Sequence, residues 1–353
     1  MGYNVAVIGG GPAGMAAALG ALSAGAKRVL LVERDDRLGG ILNQCSHLGF
    51  GLRYFGRELT GVEYAKLFRG RVEASDINVL TGTTVLKITK NRELILSGAA
   101  FSKAEAGAVI LASGCRERPI GTLPVAGTRP AGIFAAGMAQ RMLNLAGFDI
   151  GRRAVILGSG DVGMIVAREL KQRGAIVPAV IEQREVCGGL ARNKIACLDA
   201  FQIPLVFDST IAQIYGRDRI TAVDVINKTT GKRTHIPCDT LIVSVGLTPE
   251  QELLESLISE TGSVPEFLSV CGNACFVHDL VDDVSEESER AGRFAADYNA
   301  GRVPAAGTPA KIAKQESGDN TVICIACPKE CVIAKTAAGY TGMACGRAEP
   351  LLA

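Results

Sequence analysis

Residues 4–14 read NVAVIGGGPAG and residues 153–163 read RAVILGSGDVG. Each is a short apolar run, as for a strand buried on both faces, ending in G-x-G-x-x-G and followed by a helical stretch, alanine-rich in the first copy. Each then meets a second apolar run closed by an acid, LLVE ending at Glu33 and PAVIE ending at Glu182. The last glycine of the fingerprint and the acid are 19 residues apart in both copies, Gly14 to Glu33 and Gly163 to Glu182. A single glycine pattern of this kind also occurs in ordinary turns. Two copies with matched acids point to two dinucleotide sites.

The chemistry requires these residue types. The first glycine of each copy (Gly9, Gly158) makes a tight turn, and the second (Gly11, Gly160) lets backbone N–H groups reach a pyrophosphate. The third (Gly14, Gly163) lets helix and strand pack closely. Pro12 and Ala13, and in the second copy Asp161 and Val162, open the helix whose positive end faces the diphosphate. Glu33, with Arg34 beside it, and Glu182 are placed to accept from ribose hydroxyls.

Around these two segments lie 353 residues with 38 basic and 36 acidic side chains, enough for about two domains. The net charge of +2 gives no basic stripe for nucleic acid. Forty-two glycines, no Trp and 5% aromatics suit an α/β chain with many tight turns. No apolar run reaches the roughly 18 residues of a membrane span. The start, MGYNVAVIGGG, carries no basic leader, so a cytoplasmic location is expected, where the eleven cysteines stay reduced.

Further motifs follow in order: DDRLGG (35–40), AGAVILASGCRERP (106–119), DTLIVSVGLTPE (239–250) and SVCGNACFVHDLVDDVSEESERAG (269–292). With the two fingerprints they resemble the pyridine nucleotide–disulfide oxidoreductase superfamily over roughly residues 1–300. The resemblance implies an FAD domain (1–118 and 247–300) with an NAD domain (119–246) inserted in it, both Rossmann-like. It places FAD at the first fingerprint and NAD(H), rather than NADP(H), at the second. Gly40, Ser113, Gly114, Gly246, Gly272 and Asn273 join the cofactor-binding residues on the same grounds. Asn273 stands where the family pattern has Asp against the flavin ribityl chain. The helix opening near His278–Asp279 is expected to aim its N-terminus at the flavin, and also reads as an amphipathic surface helix with a solvated SEESER face; the two readings can hold together. Between Pro249 and Cys271, ETGSVPEFL stands where the family pattern has an extra strand hairpin.

Residues 1–300 lack the C-x2-C or C-x4-C pair of disulfide reductases. Cys271 and Cys275 read as small buried residues, and Cys187, Cys197 and Cys238 are isolated. Cys45, after the Gly39–Gly40 turn, reads either as a buried structural residue or as a redox cysteine, with His47 as a candidate proton donor. GGILNQCSHLGFGLRYFGRELTGVEYA (39–65) is similar to flavin subunits that accompany an anaerobic-type glycerol-3-phosphate dehydrogenase, related to opine, proline and hydrogen-cyanide-forming dehydrogenases. That similarity implies an NADH-linked electron-transfer partner in a hetero-oligomer with a second dehydrogenase subunit, and other redox subunits beside it.

Residues 301–320 read as a linker. In the tail, 321–353, Cys324, Cys327, Cys331 and Cys345 have the spacing C-x2-C-x3-C-x13-C. Three close thiolates and a remote fourth suit a [4Fe–4S] cluster, with zinc and unmetallated thiols as alternatives. The expected function is an NADH-linked FAD flavoprotein relaying electrons through that cluster. The rivals are a self-sufficient NADH oxidase or peroxidase using Cys45, and a non-catalytic nucleotide-binding subunit.

Overall fold

The computed structural model describes residues 2–99, 101–302, 321–323, 332–336 and 339–342. They divide into two compact units, Met1–Arg116 with Thr248–Ala353, and Glu117–Leu247.

The first unit is built on a parallel sheet in the order Asn78–Leu80, Val29–Val32, Tyr3–Ile8, Phe101–Leu111, Leu268–Val270. Val5, Ala6, Val7, Leu30 and Leu31 are fully buried, which explains why these strands are runs of apolar residues rather than alternating patterns. The strand Phe101–Leu111 serves two sheets. Its first half pairs antiparallel with Glu93–Ser97, and its second half pairs parallel with Tyr3–Ile8.

One face of the sheet is covered by the helix Pro12–Ser23, which packs along the helix Val281–Asn299. Their contact is made by small residues. A Cβ on Gly20 would overlap the backbone of Glu289, and one on Gly292 would overlap the backbone of Ala17. The solvated-face reading of SEESER holds only in part: Arg290 is exposed and Glu286 partly so, whereas Ser285 and Ser288 are fully buried and Glu287 is 6% exposed. Charge composition misleads here because several polar groups of this helix find buried partners. Ser285 shares a hydrogen bond with the buried Tyr64 hydroxyl at 2.8 Å, and Asp282 accepts from the N–H groups of Gly51 and Arg53.

Where the missing hairpin was noted, the chain forms the helix Glu252–Thr261, ended by Gly262 at φ +79°. Glu260 of that helix ion-pairs with Lys87 at 2.8 Å. The ETGSVPEFL stretch is therefore a helix terminus leading into the strand Leu268–Val270.

The second unit repeats the theme on a five-stranded parallel sheet. The order is Ile133–Ala135, Thr240–Val243, Ala154–Leu157, Val180–Ile181, Leu205–Val206. The helix Asp161–Gln172 follows the second fingerprint and buries Met164, Val166 and Ala167. A second sheet, Ala126–Gly127, Ser209–Gly216, Ile220–Asn227 and Arg233–Pro237, packs Ile211, Ile214 and Val223 against the other face. Both units thus have the expected α/β class with Rossmann-like sheets.

In the tail, Thr321–Ile323, Val332–Thr336 and Gly339–Gly342 form a small antiparallel sheet. Their Val, Ile, Thr and Tyr content favours a pleated backbone. The expected linker, apart from residues 301 and 302, lies outside the described residues. Among the described residues no helix is long and apolar enough to cross a membrane.

Candidate functional site

The first fingerprint separates the three glycine roles by geometry. Gly9 sits at φ +108°, and a Cβ on it would overlap the carbonyl oxygen of Ala112. A Cβ on Gly14 would overlap the carbonyl oxygen of Gly9, so this glycine seats the helix on the strand. Gly11 is different: a Cβ there would meet nothing within 4 Å. The fold does not need glycine at this position. The opening it leaves beside the N-terminus of Pro12–Ser23 is what close approach of a diphosphate requires.

Glu33, 6% exposed, closes the site from the end of the second strand. Its carboxylate accepts from the N–H of Gly10 at 2.6 Å and from the N–H of Asp35 at 2.8 Å. Gly10 is itself required, because a Cβ would lie 2.5 Å from Leu38 Cδ2 and 2.8 Å from Glu33 Oε2. The Gly39–Gly40 turn folds back over the fingerprint, with the Gly39 N–H donating to Gly10 O at 2.8 Å. Arg69 holds that turn by donating to Leu38 O and Asn43 Oδ1. Arg34 is exposed.

The second fingerprint reproduces this arrangement. Gly158 has φ +98°, and its Cβ would overlap Ser244 O. A Cβ on Gly163 would crowd Gly158 O and Ser244 Cβ, both at 2.8 Å. Gly160 has only ordinary neighbours, the nearest at 3.6 Å. Glu182 accepts from the N–H of Ser159 at 3.0 Å and the N–H of Arg184 at 3.0 Å, the counterparts of Gly10 and Asp35. Burial opposes ionisation of Glu182, but hydrogen bonds from the Ser159 hydroxyl and the Arg184 and Ser159 N–H groups outweigh it and hold its pKa below the ordinary carboxylate value.

Gly188 and Gly189 return over this fingerprint much as Gly39 and Gly40 do over the first. The Gly188 N–H donates to Ser159 Oγ at 2.7 Å, and the Gly189 N–H donates to Ser159 O at 3.0 Å. Asp161 uses its carboxylate to hold this loop, accepting from Leu190 N–H at 2.9 Å and Asn193 Nδ2 at 2.7 Å. Val162 packs against the core of the unit.

Gly10, Ser159 and the Gly188–Gly189 pair were absent from the sequence-based set. A signal for the pair existed: RDDRLGG (34–40) and QREVCGG (183–189) follow their acids at the same offset.

The remaining expected residues fall at strand ends. Ser113 Oγ donates to Glu250 O at 2.6 Å, and Gly114 takes φ +77°. Gly246, at φ +111°, accepts from Arg118 N–H through its carbonyl. Gly272, at φ +62°, stands close to Ala13: a Cβ on it would lie 2.7 Å from that of Ala13. The 269–292 segment therefore meets the first fingerprint directly within the first unit. Asn273 accepts from His278 N–H at 3.0 Å. The helix that follows opens at Val281, three residues beyond His278.

Cys45 is 8% exposed, and its thiol lies 3.4 Å from Ile41 O, to which it donates. Gly61 is needed behind it, since a Cβ there would lie 2.5 Å from Cys45 Cβ. His47 is partly exposed, with its ring 5.0 Å from that of Phe50. Cys271 and Cys275 are buried, and the seven described cysteines form no disulfide. Cys324, Cys327, Cys331 and Cys345 lie outside the described residues. Among the described residues no group of three or more His, Cys, Asp or Glu side chains is placed to hold a metal ion.

Comparison with known proteins agrees with this geometry. Residues 3–265 match the family described as pyridine nucleotide-disulphide oxidoreductase. The alpha chain of sarcosine oxidase from Rhizobium meliloti is 28% identical over 70% of this chain and 24% of its own length. An opine oxidase subunit of Agrobacterium tumefaciens is 32% identical over 49% of this chain and 35% of its own. The chain thus spans about a quarter to a third of the length of these curated relatives. The structure of thioredoxin reductase from T. acidophilum superposes with a TM-score of 0.69 at 20% identity, covering 84% of this chain and 98% of that one, which is a likeness of fold.

Proposed function

The chain belongs to the pyridine nucleotide-disulphide oxidoreductase family, and from that premise we propose that it is an FAD-dependent oxidoreductase acting as an NADH-linked electron-transfer subunit. In this reading FAD occupies the first fingerprint and NADH the second, and electrons leave through a [4Fe–4S] cluster on the four tail cysteines to a partner dehydrogenase subunit. When bound, the two nucleotides supply hydride chemistry, and the flavin makes it divisible into single-electron steps.

The protein's own part is binding and placement. Backbone N–H groups at Gly11 and the following helix turn receive a diphosphate, and Glu33 fixes the fingerprint from below through Gly10. Glu182 does the same for the second nucleotide through Ser159. A carboxylate at this position receives a free 2′-hydroxyl and repels a 2′-phosphate, which favours NADH. Arg184 is the competing feature, since a guanidinium there could take a 2′-phosphate; its Nε lies 3.4 Å from Glu182 Oε1, and the strand-end acid is weighed above it because its spacing repeats that of Glu33.

The observation that carries the reading is the repetition of one anchor, acid to fingerprint N–H, in both units. The relatives' designation as subunits supports a hetero-oligomer. The burial of Cys45 behind Gly61 supports a packing role for it over a peroxidase role.

The reading is tested with Gly11→Val and Gly160→Val. The first is expected to purify without flavin. The second is expected to keep its flavin but to lose reduction by NADH. A fully flavinylated Gly11→Val protein overturns the assignment.

A further inference from the structure

Three polar side chains of the first unit make a closed hydrogen-bond chain. His278 and Glu287 are 6% and 8% exposed in their side chains, and His278 Nε2 lies 2.7 Å from Glu287 Oε2. The other oxygen of Glu287 accepts from Gly272 N–H at 3.1 Å. On its far side, the His278 ring places Nδ1 3.3 Å from Asn273 Oδ1, which already accepts from the His278 N–H at 3.0 Å. Asn273 Nδ2 then lies 3.7 Å from Cys115 Sγ. Phe276 stacks on the imidazole with ring centroids 3.9 Å apart.

The backbone N–H of His278 identifies Oδ1 as the amide oxygen of Asn273. The ring of His278 is held between that oxygen and the carboxylate of Glu287. Flipping the amide would turn its NH2 group against the His278 N–H and leave that donor without its acceptor in a buried setting.

We propose that His278 and Glu287 are positioning residues that lock Asn273 with its NH2 group, not its carbonyl, toward the Cys115 side, so that position 273 serves as a hydrogen-bond donor to the flavin nucleotide. The proposal rests on the assignment of FAD to the first unit. The acceptor it serves is a hydroxyl or carbonyl oxygen of that ligand. Gly272, in the same segment, abuts Ala13 of the first fingerprint, so a donor at 273 sits beside the nucleotide end of Pro12–Ser23.

The test measures FAD affinity of flavin-stripped protein by quenching of flavin fluorescence. His278→Phe keeps a ring on Phe276 and removes both ring nitrogens. Asn273→Ala removes the donor itself. Each is expected to weaken FAD binding about ten-fold, and the double variant to be no weaker than Asn273→Ala alone, since one acts through the other. Glu287→Leu should behave like His278→Phe. Glu287→Gln, which can still donate to Nε2 and accept from Gly272, should recover most of the lost affinity. A purely structural role for the pair would not give that recovery. Additive losses in the double variant, or a Glu287→Gln protein as weak as Glu287→Leu, overturn the proposal. A wild-type protein that takes up no FAD, or a Gly11→Val protein that keeps it, instead refutes the underlying site assignment.

Discussion

Glu182 accepts two hydrogen bonds from Ser159, one from the backbone N–H at 3.0 Å and one from the hydroxyl at 2.5 Å. The first has a counterpart between Glu33 and Gly10, and the second does not, because Gly10 has no side chain. The hydroxyl also accepts from Gly188 N–H, so it ties the acid, the fingerprint and the returning loop together. Ser159→Ala removes this bridge while leaving the backbone anchor. Titration with NADH should show several-fold weaker binding, in keeping with the loss of about 1 kcal/mol, and flavin content should not change. Unaltered NADH affinity would show that the loop is held without Ser159.

Two buried acids of the second unit should respond to pH in opposite senses. Burial raises the tendency of Glu182 to stay protonated, but its hydrogen bonds prevail and its pKa is lowered from 4.5. Its contribution to stability is present above the unfolded value and is lost as pH falls through the lowered one. Glu169 is the reverse: burial raises its pKa against hydrogen bonds from Asn144 and Gln140, and among the described residues one of its oxygens has no partner. Its contribution is present below the unfolded value and is lost as pH rises through the raised one. Thermal unfolding across pH should therefore show Glu169→Gln gaining relative to wild type toward neutral pH and Glu182→Gln losing. Parallel profiles for the two variants would contradict these environments.

The glycines of the first fingerprint should separate folding from binding. Gly14→Ala forces a methyl group into the carbonyl of Gly9 and should cost on the order of 1–3 kcal/mol of stability. Gly11→Ala meets open space, so its melting temperature without flavin should stay near that of wild type while FAD affinity falls. Calorimetry of the two flavin-free proteins checks the contrast. A destabilised Gly11→Ala protein would mean that the opening is structural.

What the sequence made legible were features carried by short-range periodicity. The strands ending at Ile8 and Leu157 are apolar runs, and Gly9, Gly14, Gly158 and Gly163 stand where a Cβ would clash, so their pattern is visible without a structure. Glu287 was hidden because its spacing to His278 follows no helical or strand period and its neighbours are acidic, which read as solvated. Ser159 was hidden because its place in G-x-G tolerates any residue in the pattern. The helix Glu252–Thr261 was not legible because its start carries no capping side chain, and only Gly262 at its end marks a boundary.

The tail carries the prediction furthest from the fingerprints. Deleting residues 321–353 should spare FAD content and flavin reduction by NADH while electron delivery to the partner subunit falls. Anaerobically purified full-length protein should contain iron and acid-labile sulfide and give an EPR signal on reduction. Stoichiometric zinc with no iron or sulfide after reconstitution would end the relay at the flavin, and the tail would be a zinc-held docking element.

Whether one chain carries flavin in its first unit and a nicotinamide nucleotide in its second is read out by anaerobic stopped-flow reduction of the FAD-loaded protein. Rapid loss of the visible flavin absorbance on mixing with NADH, slower loss with NADPH, and a narrowed difference in Glu182→Ala are the predicted results. Flavin that remains oxidised with both nucleotides, or that is reduced faster by NADPH, would contradict the account.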